Sequence, residues 1–317
     1  MTETAIGIDI GATYTKYGIM DRDGNLLASG RMSTDTGDSF DDYILNLSAQ
    51  IQAMMAPLLG KISPRGIGVG APNANFFRGT IEYSVNLHWG DDIPFVKTFR
   101  RHIDLPMALT NDANAAALGE MFYGGARGMK DFIVITLGTG LGSGIVANGG
   151  LVYGHDGFAG EIGHTIVEPG GRACGCGRSG CLETYASATG LVRTAFELMS
   201  KRSEASSLRE IPYSAMTAED ISRAALRGDP LALMAFDYTG RILGMKLADA
   251  VAHTSPEAIF LFGGLVNAGD LIMEPTKKYM EEFILSVYRG KVKLLPSQMA
   301  GMNAAIAGAC ALVWQEI

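Results

Sequence analysis

At 317 residues the chain is long enough to bury a large core and to form two domains or lobes. Its 26 Lys and Arg against 33 Asp and Glu give a net charge of −7 and a pI near 5.3. That balance argues against a broad electrostatic footprint for nucleic acid, but not against an anionic nucleotide held by backbone amides. No basic segment followed by an apolar run opens the sequence, and no stretch is long and apolar enough to span a bilayer. A cytoplasmic protein with no membrane partner is expected.

In chain order, Ala5 to Ile10 is a short apolar run, Tyr14 to Met20 alternates, and Asp23-Gly24 turns the chain into Leu26 to Met32. This predicts three strands joined by turns. The first joint carries Asp9, Gly11, Thr13, Thr15 and Lys16. Gly11 would let the backbone approach a phosphate, the two threonines can donate hydroxyls, and Asp9 can hold Mg²⁺ through water. Ordinary turn chemistry is the alternative. Apolar residues from Ile44 to Leu58 recur at helical spacing, and Gly66 to Ala71 has a buried-strand pattern. Met107 to Thr110 then feeds Asn111-Asp112 and a helix from Ala113 to Met121. That pair reads first as a helix cap. A carboxylate there could also accept the proton of a substrate hydroxyl, in a helical turn whose dipole favours the ionised form.

Phe132 to Leu137 and Ser143 to Ala147 predict a hairpin around Gly138-Thr139-Gly140, whose amides can form an anion nest. Neither the Walker pattern nor the dinucleotide fingerprint fits these glycines. Helices are predicted over Ala186 to Ser200, Ala218 to Leu226 and Pro230 to His253. A strand from Ala258 to Phe262 enters a third glycine turn, Gly263-Gly264. A helix from Leu271 to Val287, a strand from Val292 to Leu295 and a last helix from Asn303 to Trp314 complete the chain.

Between hairpin and helices lies the most distinctive stretch, Phe158 to Thr184, which holds three of the four cysteines. His164, Cys174, Cys176 and Cys181 offer the imidazole and thiols that Zn²⁺ takes in closed structural sites. A disulfide is the alternative, and it would leave one cysteine of the cluster unpaired. Glu161 and Glu183 flank the cluster and could accept hydrogen bonds from a polyhydroxylated substrate. Cys310, on an Ala-rich apolar helix, reads as a core residue.

The order E-x-G-H, then C-x-C-x4-C running into L-E, resembles the ROK family of sugar kinases and sugar-responsive repressors. With the glycine turns, the resemblance covers essentially the whole chain. It implies an α/β, two-lobed ribonuclease-H-like fold of the actin and hexokinase superfamily, with a central cleft and a structural zinc site. The small lobe would span 1–110 and be completed by the last helix, 303–317; the large lobe would span 111–302.

The resemblance further implies that His164, Cys174, Cys176 and Cys181 hold Zn²⁺ and that Glu161, His164 and Glu183 touch the sugar. Asn111 and Asp112 would bind it too, with Asp112 as catalytic base. Asp9, Gly11, Thr13, Lys16, Gly138, Thr139, Gly140, Gly263 and Gly264 would serve MgATP. Asn86 and Trp89, in SVNLHW, would line the sugar side, with Asn73 and Asn75 adding polar partners. Many members carry three glycines where this chain has Gly263-Gly264-Leu265. The expected activity is phosphorylation of a hexose, D-glucose first, then N-acetylmannosamine or N-acetylglucosamine, then fructose. An actin-like ATPase or a sugar sensor is the alternative class. A repressor would need a DNA-binding segment ahead of a first strand that begins by residue 5. A homo-oligomer, dimer or tetramer, is expected.

Overall fold

The computed structural model describes residues 1–34, 39–83, 87–299 and 303–317. Asn86 and the expected lobe boundary at residue 302 lie outside them. The first sheet holds β1 (Thr2–Ile10), β2 (Tyr14–Asp21), β3 (Leu26–Ser33), β4 (Ile62–Ala71) and, later in the chain, a fifth strand at Met107–Asn111. Between β3 and β4 runs α1 (Phe40–Met55), whose Tyr43, Ile44, Leu47 and Ile51 form one buried face against the sheet. Burying each such side chain contributes about 1.5–3 kcal/mol. A small sheet not foreseen from the sequence follows, of β5 (Ala74–Asn75), β6 (Thr80–Glu82) and β7 (Asp92–Ile93). Then come α2 (Phe95–Phe99), β8 (Met107–Asn111) and α3 (Asp112–Tyr123).

The second half repeats the plan with β9 (Phe132–Leu137), β10 (Leu141–Ala147), β11 (Gly150–Leu151), α4 (Ala188–Lys201), α5 (Ala218–Leu226), α6 (Pro230–Thr254), β12 (Ala258–Phe262), α7 (Asp270–Phe283), β13 (Lys293–Pro296) and α8 (Ala304–Glu316). The strand orders are β3-β2-β1-β4-β8 and β11-β10-β9-β12-β13. In both sheets the first three strands are antiparallel and the last two join in parallel. This is a two-lobed α/β fold of the actin and hexokinase type.

The two helices that end the repeats are exchanged between sheets. A Cβ on Gly68 of β4 would overlap the Ala309 carbonyl of α8, while one on Gly144 of β10 would lie 2.6 Å from the Ala113 carbonyl of α3. Only glycine permits such backbone contact. Helices α3 and α8 also meet each other, with Gly119 against Gly308. These helix-to-sheet and helix-to-helix contacts are therefore backbone packed on backbone. One helix is shorter than its periodicity predicts: α7 ends at Phe283, where Ile284 turns extended and buries its side chain in the core of the second lobe. Tertiary packing overrides the helical pattern there. Among the described residues no helix is long and apolar enough to cross a membrane.

Candidate active site

Strands β1, β4 and β8 run parallel and end together, as do β9 and β12. Open α/β sheets bind ligands just beyond such carboxyl ends. A cavity of about 870 Å³ lies there, with walls from both lobes. It brings together Asp9, Gly11, Asn111, Asp112, Gly138, Thr139, Gly140, Glu161, His164, Cys176, Glu183 and Gly263, residues drawn from most of the length of the sequence. Thr13, Lys16 and Gly264 are not among its lining residues. Lys16 instead pairs with Asp9 across β1 and β2.

Asp112 opens α3. Asn111 is the N-cap, its Oδ1 accepting the Ala113 amide at 2.9 Å, and Asp112 Oδ1 accepts the same amide at 2.8 Å. The carboxyl of Asp112 opens onto the cavity. The wall around it nonetheless displaces water, and this desolvation raises its pKa against the opposing backbone hydrogen bonds. The expectation from the helix dipole was the reverse; enclosure outweighs it. Asp9 is pushed up to about 6, first by burial, then by the charge of Asp112, with Lys16 pulling the other way. Burial likewise raises Glu161, helped by Asp112 and Glu183 and opposed by His164. The cavity thus concentrates carboxylates, an arrangement suited to cations and hydroxyl donors.

The glycine loop is braced from behind. Ala188 at the start of α4 donates its amide to Gly138 O at 2.9 Å, and Thr189 Oγ1 donates to Thr139 O at 2.8 Å. The Gly138 amide is spent on Gly140 O, and that of Gly142 on Thr136 Oγ1. The Thr139 and Gly140 amides have no partner among the described residues, so an anion nest narrows to those two. Gly11 likewise gives its amide to Tyr14 O, leaving close approach as its contribution. Gly263 sits at φ 111°, with a would-be Cβ 2.6 Å from Leu137 O. That position demands glycine; Gly264 meets no such constraint.

Glu183 joins the loop to the cysteine cluster. Its Oε2 accepts the Leu141 amide at 3.0 Å, and its Oε1 lies 3.5 Å from Cys174 Sγ. His164 turns Nδ1 toward Cys174 Sγ at 3.7 Å and Nε2 toward Glu161 at 4.0 Å. Cys176 and Cys181 sulfurs are 3.6 Å apart, and the four donor atoms all lie within 4.8 Å of one another. A disulfide would need about 2.05 Å. A tetrahedral metal with bonds near 2.3 Å sets sulfurs about 3.8 Å apart, so the set fits a four-coordinate ion. All four cysteines are free.

Several expected contributors have other work. Thr15 is buried, its hydroxyl shared with Thr34 Oγ1 at 2.8 Å and Tyr43 OH at 2.7 Å. Trp89, half-buried, makes tilted ring contacts with Tyr43 and Phe40 against the core of the first lobe. Asn73 lines the cavity, but Asn75 is buried: it accepts the Phe77 and Arg78 amides and donates to Asp156 O at 2.8 Å. Thr136, Tyr83 and Met299, which also stand in the walls, were not foreseen from the sequence. Thr136 shares a face of β9 with the buried Phe132 and Val134, so only its being the one polar residue of an apolar strand could have flagged it.

Residues 5–316 match the ROK family. A glucokinase of Halalkalibacterium halodurans is 37% identical over 284 residues, 88% of this chain and 86% of that protein. A ROK family glucokinase from Streptomyces griseus, solved with glucose and AMPPNP, is 33% identical at a TM-score of 0.80, covering 98% of this chain and 99% of that one. The xylose repressor of Bacillus subtilis is 26% identical over 312 residues, 98% of this chain and 76% of the repressor. The chain belongs to the ROK family.

Proposed function

We propose that the protein transfers the γ-phosphoryl group of ATP to the 6-hydroxyl of D-glucose. The observation that carries this is a single cavity that holds Asp112 together with unpartnered amides at Thr139 and Gly140 and with the carboxylates of Glu161 and Glu183 and the His164 ring. The similarity to glucokinases over nearly the whole chain supports it.

In a loose transition state alignment counts for more than base strength. Asp112 would accept the hydroxyl proton and aim the oxygen, while Asn111 holds the helix start in place. The Thr139 and Gly140 amides would face the transferring phosphates, and Gly263 would admit the nucleotide close to the backbone. Asp9 would hold Mg²⁺, which would supply positive charge against the negative charge that develops on the phosphates. Thr13, Lys16 and Gly264 remain proposed nucleotide-side residues, and Asn86 a proposed sugar-side one.

Glu161, His164 and Glu183 would read the ring hydroxyls, since an unmatched buried polar group is expensive. His164, Cys174, Cys176 and Cys181 would hold a structural Zn²⁺, a closed set with no open coordination position. His164 Nε2, turned toward Glu161, would stay free for the sugar. We assign residues 1–110 with 303–317 to the small lobe and 111–302 to the large one. A cytoplasmic homo-oligomer, dimer or tetramer, without a nucleic-acid partner completes the reading.

The test is kcat/KM with MgATP across glucose, mannose, fructose, allose, N-acetylglucosamine and N-acetylmannosamine, with the product's phosphate position assigned by NMR. Glucose should lead and give the 6-phosphate. An N-acetyl sugar ahead by tenfold, about 1.4 kcal/mol of transition-state preference, would replace glucose as substrate. ATP turnover independent of hexose would remove the kinase.

A further inference from the structure

We propose that Arg172 is the positioning residue that couples the metal loop to the glycine loop. It lies two positions before Cys174, with its side chain only 8% exposed. All five guanidinium N–H groups are used. Nε and Nη2 reach Glu197 at 2.7 and 2.9 Å, Nη2 also reaches Thr194 Oγ1 at 3.0 Å, and Nη1 donates to Thr184 O at 2.7 Å and Gly190 O at 3.2 Å. The guanidinium sits 4.3 Å over the Tyr185 ring, and the Arg172 amide donates to the Tyr185 hydroxyl at 3.0 Å.

The two carbonyls held by Nη1 are the ends of one short segment, 184–190. Immediately before it stands Glu183, whose Oε2 holds the Leu141 amide. Inside it stand Ala188 and Thr189, which hold Gly138 O and Thr139 O. The two braces on the loop's carbonyls therefore hang on a segment whose ends one nitrogen clamps, with Glu183 immediately before it. The amides left free for phosphate, at Thr139 and Gly140, inherit their direction from those braces. This inference rests on the proposed nucleotide role of that loop. Lysine would keep the charge beside Glu197, yet a single ammonium cannot reproduce the planar fork that spans Glu197, Thr194 and two carbonyls.

The test compares wild type, Arg172→Lys, Arg172→Met and Glu197→Gln. Kd for AMPPNP and for glucose, kcat, metal content and melting temperature are measured on each. For Arg172→Lys the expectation is a full metal complement and glucose Kd within about twofold, with AMPPNP Kd weakened about tenfold and kcat reduced at least as much. Arg172→Met should repeat that split with a lower melting temperature. Glu197→Gln keeps both carbonyl contacts and should stay within about threefold of wild type in AMPPNP Kd. A folded, metal-loaded Arg172→Lys protein with unchanged AMPPNP Kd and kcat overturns the proposal, as does loss of metal in step with loss of nucleotide affinity. If wild type shows no hexose-dependent turnover, the kinase reading falls by itself, and the AMPPNP measurements still decide the coupling.

Discussion

Asp9, at the end of β1, and Asp112, at the start of α3, share the floor of the cleft closely enough for the charge of one to lift the pKa of the other. Burial first and Asp112 second push Asp9 from 3.8 up to about 6. A carboxyl raised on folding contributes stability that is fully present below 3.8 and is lost as pH rises through about 6. At neutral pH an ionised Asp9 strains the ligand-free protein.

Asp9→Asn should therefore stabilise the ligand-free protein above pH 7, by on the order of 1–3 kcal/mol, with the difference closing by pH 4. Thermal melts at pH 4, 6 and 8 check this. The same variant should lose the stabilisation that MgATP gives wild type. Wild-type kcat/KM should rise with pH through about 6, the value assigned to Asp9. A variant no more stable at pH 8 than wild type would show that Asp9 is not strained.

Asp112 and Asn111 can be separated by mutation. Because Asn111 supplies the N-cap, Asp112→Asn should fold normally while kcat falls by roughly 10²- to 10⁴-fold, the usual scale for a general base. Asn111→Ala should instead cost about 0.5–2 kcal/mol of stability through the lost cap. Circular dichroism melts beside steady-state kinetics distinguish the two. Normal turnover in Asp112→Asn would leave that residue as part of the helix start and nothing more.

Local signals carried much of this site. The hairpins, the glycine loop and the His and Cys spacing each depend on neighbours a few residues away; the cavity brings residues from each of them together, though not Thr13, Lys16 or Gly264. What escaped the sequence depends on distant partners. Thr15 looks like a phosphate donor until Thr34 and Tyr43 claim its hydroxyl. Asn75 looks like a sugar ligand until Asp156, 81 positions away, accepts its amide. The dipole at Asp112 is visible in sequence, whereas the walls that desolvate it come from both lobes. Arg172 sits among glycines and cysteines, and nothing near it in sequence announces Glu197 or the carbonyls it holds.

The metal reading predicts composition as well as activity. Purified protein should contain about one Zn per chain, as a closed four-ligand site requires, and Cys176→Ser should lose it and melt earlier. His164→Gln should lower metal content and glucose affinity together, because its two nitrogens face Cys174 and Glu161. Elemental analysis beside calorimetric glucose binding checks both. A metal-free Cys176→Ser protein with wild-type melting and turnover would remove the structural ion.

Gly140 offers the sharpest test of the Glu183 seat. Its φ lies outside the left-handed region, so alanine is allowed by the backbone there. An added Cβ, however, would overlap Glu183 Oε2. The clash is with the end of a flexible side chain, so the fold should survive and Glu183 should swing away, giving up the Leu141 amide. Misplacement on the order of 1 Å is worth about 10²-fold in rate. Gly140→Ala should accordingly lose 10- to 100-fold in kcat/KM for glucose, with stability changed by less than about 1 kcal/mol. Gly263→Ala is the contrast: at φ 111°, with Leu137 backbone in the way, it should cost about 1–3 kcal/mol of stability. If Gly140→Ala turns over glucose like wild type, the position of Glu183 beneath the loop is not what holds the sugar.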